Sequence, residues 1–331
     1  MRRGCEKKNT EGRLGPQRSA AYGGSVAKSY TVSTRLLAHY RRTARDLPWR
    51  RTHDPYEVLV SEVMLQQTQA ARVTPAFDRL VRRFPTLEAL AAAPLGAVLR
   101  EWSGLGYNRR ARDLHRIARM SPQGLPRTVA ELDALPGIGA YTAGAIASFA
   151  FGQRVPFADT NIKRVLGRFF LGREGTDQEA VDLDTRAMPR RSSDLWHHAL
   201  MDLGATICKP RAPQCDDCPL RADCRYARGR AGTAAASLRG AAGGSLRRGA
   251  RQPEAQGSAA VRHQTPPLRP AAYRDTDRRI RGAIVKALTR GDLTVRALEK
   301  EIGDRRVARL VKALTADGLV EPAGRRVRLP S

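Results

Sequence analysis

Leu135-Pro136-Gly137-Ile138-Gly139-Ala140-Tyr141-Thr142-Ala143-Gly144 is the stretch on which the reading of this chain turns. Two glycines two positions apart let the backbone turn tightly and bring its N–H groups together without Cβ interference, and small residues then open a helix. Convergent N–H groups at a helix N-terminus carry positive potential, which suits a phosphate. The same residues also suit an ordinary connection between two helices, so their meaning rests on what surrounds them.

Working outward, residues 31–201 place apolar side chains at spacings of three and four. Examples are Val58, Leu59, Val63 and Leu65; Phe77, Leu80 and Val81; Leu114, Ile117 and Ala118; and Ile162, Val165 and Leu166. No stretch sustains the alternation of a strand. Turns at Ala93-Pro94 and Ser103-Gly104-Leu105-Gly106 break the pattern into short helices, which predicts an all-α domain. Twenty residues after Gly139, Phe157-Ala158-Asp159-Thr160-Asn161 puts an acid at a helix start, where an N-cap is worth about 1 kcal/mol. Upstream, Glu62 stands in a largely apolar helical stretch beside Gln66, Gln67 and Gln69. A desolvated carboxyl there has a raised pKa, as a general acid needs; a capping-box partner or a surface acid is the plainer alternative.

The 331 residues hold 59 basic and 32 acidic side chains, a net charge of +27 that calls for a polyanionic partner, nucleic acid first. Much of the excess lies where little apolar material exists to offset ordering entropy. Residues 1–28 read as a disordered basic tail, and 225–272, with nine arginines against one acid, as a disordered linker. Between them, 29–224 form the main domain, and 273–331 a second. The longest apolar run, 143–151, is too short to span a bilayer, and the start lacks a signal peptide's apolar stretch. A cytoplasmic, nucleoid-associated monomer is expected.

Cys208, Cys215, Cys218 and Cys224 crowd into C-x6-C-x2-C-x5-C, a metal site sooner than disulfides in such a chain. By ligand chemistry alone, four thiolates hold zinc as well as an iron–sulfur cluster. In the last segment, 278–289, 294–302 and 304–316 read as helices, and Leu319 and Val320 with Val327 to Leu329 as a hairpin. That order is winged-helix-like, with Arg305, Arg306, Arg309 and Lys312 on the third helix placed for a DNA groove; a packing domain with a solvated basic face is the alternative.

Taken together, Leu47-Pro48-Trp49-Arg50, Ser61-Glu62-Val63-Met64-Leu65-Gln66-Gln67-Thr68-Gln69, Gly104-Leu105-Gly106-Tyr107, the glycine turn, Asp159-Thr160-Asn161, Ala199-Leu200-Met201-Asp202-Leu203-Gly204 and the four cysteines resemble the MutY-type adenine DNA glycosylases. These belong to the helix–hairpin–helix, Gly-Pro-Asp superfamily, and the likeness runs from Leu47 to Cys224 in order. It implies a two-lobed helix–hairpin–helix domain closed by a [4Fe-4S] loop on Cys208, Cys215, Cys218 and Cys224. It implies an acid at adenine N7 (Glu62), a carboxylate for the oxocarbenium sugar (Asp159), and Tyr141 and Asn161 as positioning neighbours. Trp49 and Arg50 are then implied at the adenine pocket, Leu65 and Gln66 among the DNA- or base-binding residues, Gln67 and Tyr107 at the duplex gap, Gly137 and Gly139 on phosphate, and Lys209 and Arg211 toward the backbone.

In the related endonuclease III type a lysine occupies the Tyr141 position and attacks the sugar, so Tyr141 implies base excision without strand cleavage. The partner implied is double-stranded DNA with adenine opposite guanine or 8-oxoguanine; a thymine glycosylase for G·T pairs and a non-catalytic iron–sulfur regulator are the rival readings. Two departures stand out. His197-His198 replaces a polar pair and reads as packing or solvated, and the family's Nudix-like domain has no counterpart after Cys224.

Overall fold

A computed structural model describes residues 26–230 and 276–331. The expected tail and most of the expected linker fall outside the described residues. Where the linker reading overlaps them, residues 225–230 are helical and the Tyr226 ring lies under Arg168, 4.7 Å from its guanidinium.

Helices dominate, as the periodicity predicts. The first lobe packs α2 (Pro55–Leu65), α3 (Ala70–Arg83), α4 (Leu87–Ala92), α5 (Leu95–Glu101), α6 (Arg109–Met120), α7 (Val129–Asp133) and α8 (Ala140–Phe149). The second returns the chain's start to its later part, α1 (Val26–Thr43) lying on α10 (Asp177–Ala187) and α11 (Ser193–Thr206), with α9 (Thr160–Leu171) against both of these. Helices α2 and α8 are apolar nearly all round. Eight residues of each are buried, so they pair at the centre of the first lobe, and α8 also meets α11 of the second. Asp54 caps α2 by accepting from Tyr56 N at 2.7 Å, with Pro55 at the first helical position.

The C-terminal unit holds α12 (Asp277–Leu288), α13 (Val295–Ile302) and α14 (Val307–Ala316), then β1 (Glu321–Ala323) and β2 (Arg326–Arg328). The hairpin is shifted from the expected register. Leu319 and Val320 are 1% and 2% exposed and serve as core ahead of β1, while Glu321 pairs with Arg328 and Pro322 with Val327. Val327 also bridges Leu293, before α13.

Of the basic residues expected on the third-helix side, Arg305 and Lys312 are exposed, and Arg306 and Arg309 are ion-paired. Arg306 pairs with Asp304 at 2.9 Å and Asp277 at 3.2 Å, and Arg309 with Asp277 at 2.6 Å. This unit docks on the first lobe. Arg109 pairs with Asp317 at 2.6 Å, Arg112 donates to the Asp317 carbonyl at 2.6 Å, and Gly96 N donates to Pro330 O at 2.7 Å. Gly96 has no room for a side chain, since a Cβ there would lie 2.6 Å from Pro330 O. Among the described residues, no helix is long and apolar enough to cross a membrane.

Candidate active site

Glu62 projects from α2 where the helix has no polar face, and it is 5% exposed. Burial pushes its carboxyl up from 4.5 to about 7; Asp159 pushes the same way, and the Tyr141 hydroxyl and Arg50 pull against it. Tyr141, in the first turn of α8, sits edge-on to Phe157 with ring centroids 5.6 Å apart. Burial and then the Glu62 and Asp159 charges hold its hydroxyl well above the ordinary phenol range, so it stays a neutral donor. Near neutrality the phenol is protonated and the Glu62 carboxyl is protonated in about half of the molecules.

Asp159 is the N-cap of α9, accepting from Asn161 N at 2.8 Å and Ile162 N at 2.7 Å. Its second oxygen accepts from Asn161 Nδ2 at 2.7 Å. Asn161 is fixed in turn by Arg164, which donates to its Oδ1 at 2.8 Å and to the carbonyls of Gly204 at 2.8 Å and Cys208 at 2.6 Å. Helix α11 comes so close that a Cβ on Gly204 would lie 2.5 Å from Asn161 Cβ. A small residue is therefore required there, which accounts for the glycine after Met201-Asp202-Leu203.

Behind the Phe157-Ala158-Asp159 segment lies a buried polar brace. Asp184 and His197 are both 0% exposed. Asp184 accepts from Trp196 Nε1 at 2.6 Å and Phe157 N at 3.2 Å, lies 2.8 Å from His197 Nε2, and the His197 ring stacks on Phe157 at 3.9 Å. Arg50 grips Asp202 with both terminal nitrogens, at 2.8 and 2.7 Å. Burial alone would raise the Asp202 carboxyl, but the Arg50 and Arg45 contacts bring it below the usual range.

His198 stacks on Phe149 at 4.1 Å, and burial, with Arg50 nearby, pushes its imidazole down to about 3. It is neutral and half-buried, whereas His197 is fully buried. Both His198 Nδ1 and Arg50 Nε are buried without a protein partner. Trp49 is buried and packs edge-on to Phe77, ring centroids 5.6 Å apart.

Past the end of α2, where Leu65 is half-buried, Gln66 Nε2 donates to Gly137 O at 3.2 Å and ties the acid helix to the glycine turn. Gly137 takes φ +74°, the conformation that favours glycine, and Gly139 is the N-cap of α8. Gln67 and Tyr107 both hold left-handed backbone, φ 55° and 48°, an outlier that costs about 1–3 kcal/mol each and gathers at functional sites. Arg110 secures both turns. It donates to the carbonyls of Met64 at 2.8 Å, Gln66 at 2.6 Å, Leu105 at 3.4 Å and Gly106 at 3.2 Å, and burial lowers its pKa to about 10.

Sequence reasoning missed Arg110, Arg164 and Asp184, because their partners lie tens of residues away. Asp202 stood in a quoted motif without a role, and its partner Arg50 was 152 residues off.

The four cysteines are free thiols lining one apolar cavity with Ile207, Pro213 and Tyr226. Burial raises Cys218 to about 11 and Cys224 in the same direction. Arg168, its side chain 5% exposed, places Nη1 3.6 Å from Cys208 Sγ, so a buried cation is set beside the thiols. That donor set and charge fit an anionic cluster. Lys209 and Arg211 are exposed on the same loop.

A family profile described as HhH-GPD superfamily base excision DNA repair protein matches residues 60–189. An adenine DNA glycosylase of Mycobacterium tuberculosis is 38% identical over 301 residues, spanning 87% of this chain and 89% of the relative. The human adenine DNA glycosylase is 41% identical over 225 residues, 60% of this chain and 40% of its own length. Among solved structures, a thermostable thymine-DNA glycosylase superposes with TM-score 0.58 at 29% identity, covering 62% of this chain and all of that one. An endonuclease III–DNA complex does so with TM-score 0.55 at 26% identity, over 63% of this chain and 99% of the other.

Proposed function

The chain belongs to the adenine DNA glycosylases of the HhH-GPD superfamily, which makes it a base-excision repair enzyme acting on adenine in DNA, and we propose that its substrate is adenine mispaired with guanine or 8-oxoguanine. The observation that carries the mechanism is the buried Glu62 carboxyl, raised to about 7 and facing Asp159. At neutral pH Glu62 retains a proton that it can deliver to adenine N7, so the base leaves as a neutral species. As the C1′–N9 bond breaks, positive charge builds on the sugar, and the capped Asp159 carboxylate stabilises it. Water adds at C1′ and gives its proton to the Glu62 carboxylate, which the first transfer left empty. Asn161 fixes the carboxylate's angle, and Tyr141 keeps Glu62 aligned without offering an amine to the sugar, so the strand stays intact.

The extruded base then comes to the Glu62 carboxyl, near Arg50. Leu65 and Gln66 close the pocket's edge, and Gly137 and Gly139 present backbone N–H groups to a phosphate. Cys208, Cys215, Cys218 and Cys224 would hold a [4Fe-4S] cluster, and the loop they fix carries Lys209 and Arg211 toward the DNA backbone. The C-terminal unit is a winged-helix relative: its three helices, terminal hairpin and Leu293–Val327 bridge support that assignment. The enzyme works as a monomer on nucleoid DNA.

Single-turnover excision by Glu62→Gln tests the proton-donor role, because the variant keeps size and hydrogen bonding and lacks the transferable proton. A loss of about 10²–10⁴-fold with duplex affinity kept supports it. Wild-type turnover refutes it.

A further inference from the structure

The two acids of the site stand on different lobes. Glu62, and the Tyr141 hydroxyl that bonds to it, belong to α2 and α8 of the first lobe, whereas Asp159 caps α9 of the second. Their separation depends on what holds the lobes in register, and Phe157 touches both sides. Two residues before Asp159 and 3% exposed, it is edge-on to Tyr141, and a Cβ on Gly144 of α8 would come 2.9 Å from Phe157 Cβ.

Phe157 is itself held from behind by the buried polar brace. The His197 ring of α11 stacks on its face, with 3.9 Å between centroids and 29° between planes, and Asp184 of α10 accepts from its backbone N–H at 3.2 Å. His197 Nδ1 lies 3.4 Å from Ser148 Oγ of α8, so the brace also reaches back to the first lobe. Ser148, Asp184, Trp196 and His197 are all 0% exposed. Ser148, His197 and Asp184 stand in the order of a hydrolytic triad, yet a hydroxyl with no exposed surface meets no substrate, so the set acts through what it holds.

We propose that Asp184 and His197 are positioning residues for base excision: through Phe157 they fix Asp159 of the second lobe against the Glu62–Tyr141 pair of the first. The inference rests on the glycosylase reading, in which proton delivery to the base and charge stabilisation at the sugar act together on one nucleotide. Three N–H groups converge on Asp184, Trp196 Nε1 at 2.6 Å on one oxygen, and Phe157 N and His197 Nε2 at 3.2 and 2.8 Å on the other. Two acceptor oxygens are therefore required. An amide has one, so in Asp184→Asn the NH2 faces either the indole N–H or the Phe157 N–H, donor against donor. The indole contact is the shorter, so the amide oxygen stays with Trp196 and the NH2 turns on Phe157.

The test uses the full chain, single-turnover excision from a G·A duplex at saturating enzyme, and affinity for the same duplex carrying an uncleavable 2′-fluoro-adenine. Asp184→Asn is expected to slow excision about 10–100-fold, the loss that follows a misplacement of about 1 Å, with affinity kept. Adding Trp196→Phe removes the competing indole N–H and lets the amide oxygen turn to Phe157. The double variant is expected to recover most of the rate while its melting temperature falls further, whereas in a merely structural brace the second core change would deepen the loss. His197→Phe keeps a ring on Phe157 and His197→Leu fills the space without one; the leucine variant is expected to be slower by about tenfold at equal affinity. Should Asp184→Asn not fold by circular dichroism, the two His197 variants decide alone. A wild-type rate in Asp184→Asn, a double variant no faster than the single one, or equal rates for the two His197 variants would each overturn the inference. Wild-type protein that binds the duplex and releases no adenine would instead overturn the glycosylase reading beneath it.

Discussion

Replacing Glu62 by Gln should stabilise the protein while disabling it, and the size of the gain follows from the burial of the acid. The carboxyl rises from 4.5 in the unfolded chain to about 7 in the fold. At about 1.4 kcal/mol per unit, that difference corresponds to roughly 3 kcal/mol. The sign is set by which state holds the proton more tightly. Here the folded state does, so its stability is greatest below pH 4.5, falls as the pH rises to about 7, and is level above. Glu62→Gln removes that dependence. Urea unfolding followed by circular dichroism at pH 5 and pH 8 should find the variant close to wild type at pH 5. At pH 8 it should be more stable by about 3 kcal/mol, the other titrating groups cancelling in the difference. Equal stability gaps at the two pH values would mean that Glu62 titrates normally and cannot serve as the acid at neutrality.

Other consequences of the geometry are as direct. Excision by the wild type should decline above pH about 7 as Glu62 loses its proton, read from single-turnover rates across pH; a rate still rising at pH 9 would exclude the role. Gly204→Ala forces a methyl against Asn161 and should lower the single-turnover rate more than tenfold with little change in duplex affinity, a split that anisotropy and excision assays separate. Cys215→Ala should lose iron by elemental analysis and bind DNA more weakly through the displaced Lys209 and Arg211; stoichiometric zinc in anaerobically prepared wild type would contradict the cluster.

What the sequence made legible was local. The glycine turn, the apolar helix around Glu62, the Asp159 cap and the cysteine spacing each lie within a few residues, so period, turn chemistry and ligand spacing reveal them. Arg110 and Arg164 could not be found that way. Each is one arginine among many until folding brings distant carbonyls to it, Met64 and Gln66 for one, Gly204 and Cys208 for the other. His198 looked like filler because only the packing of α11 against Phe149 leaves its Nδ1 without a partner. The hairpin register slipped because the apolar pair Leu319 and Val320 reads as strand, whereas tertiary packing buries it as core. The docking of the C-terminal unit turned on Gly96, whose lack of a side chain acquires meaning only once Pro330 is beside it.

Incubating the purified protein with duplexes holding 8-oxoguanine·A, G·A, G·T and A·T, and scoring strand breaks before and after alkali, tests the central claim most directly. The account predicts alkali-dependent breaks at the adenine of the first two duplexes and none in the others, with no breaks before alkali because Tyr141 offers no amine. Breaks at the thymine of G·T, or adenine left intact in both mispairs, would contradict it.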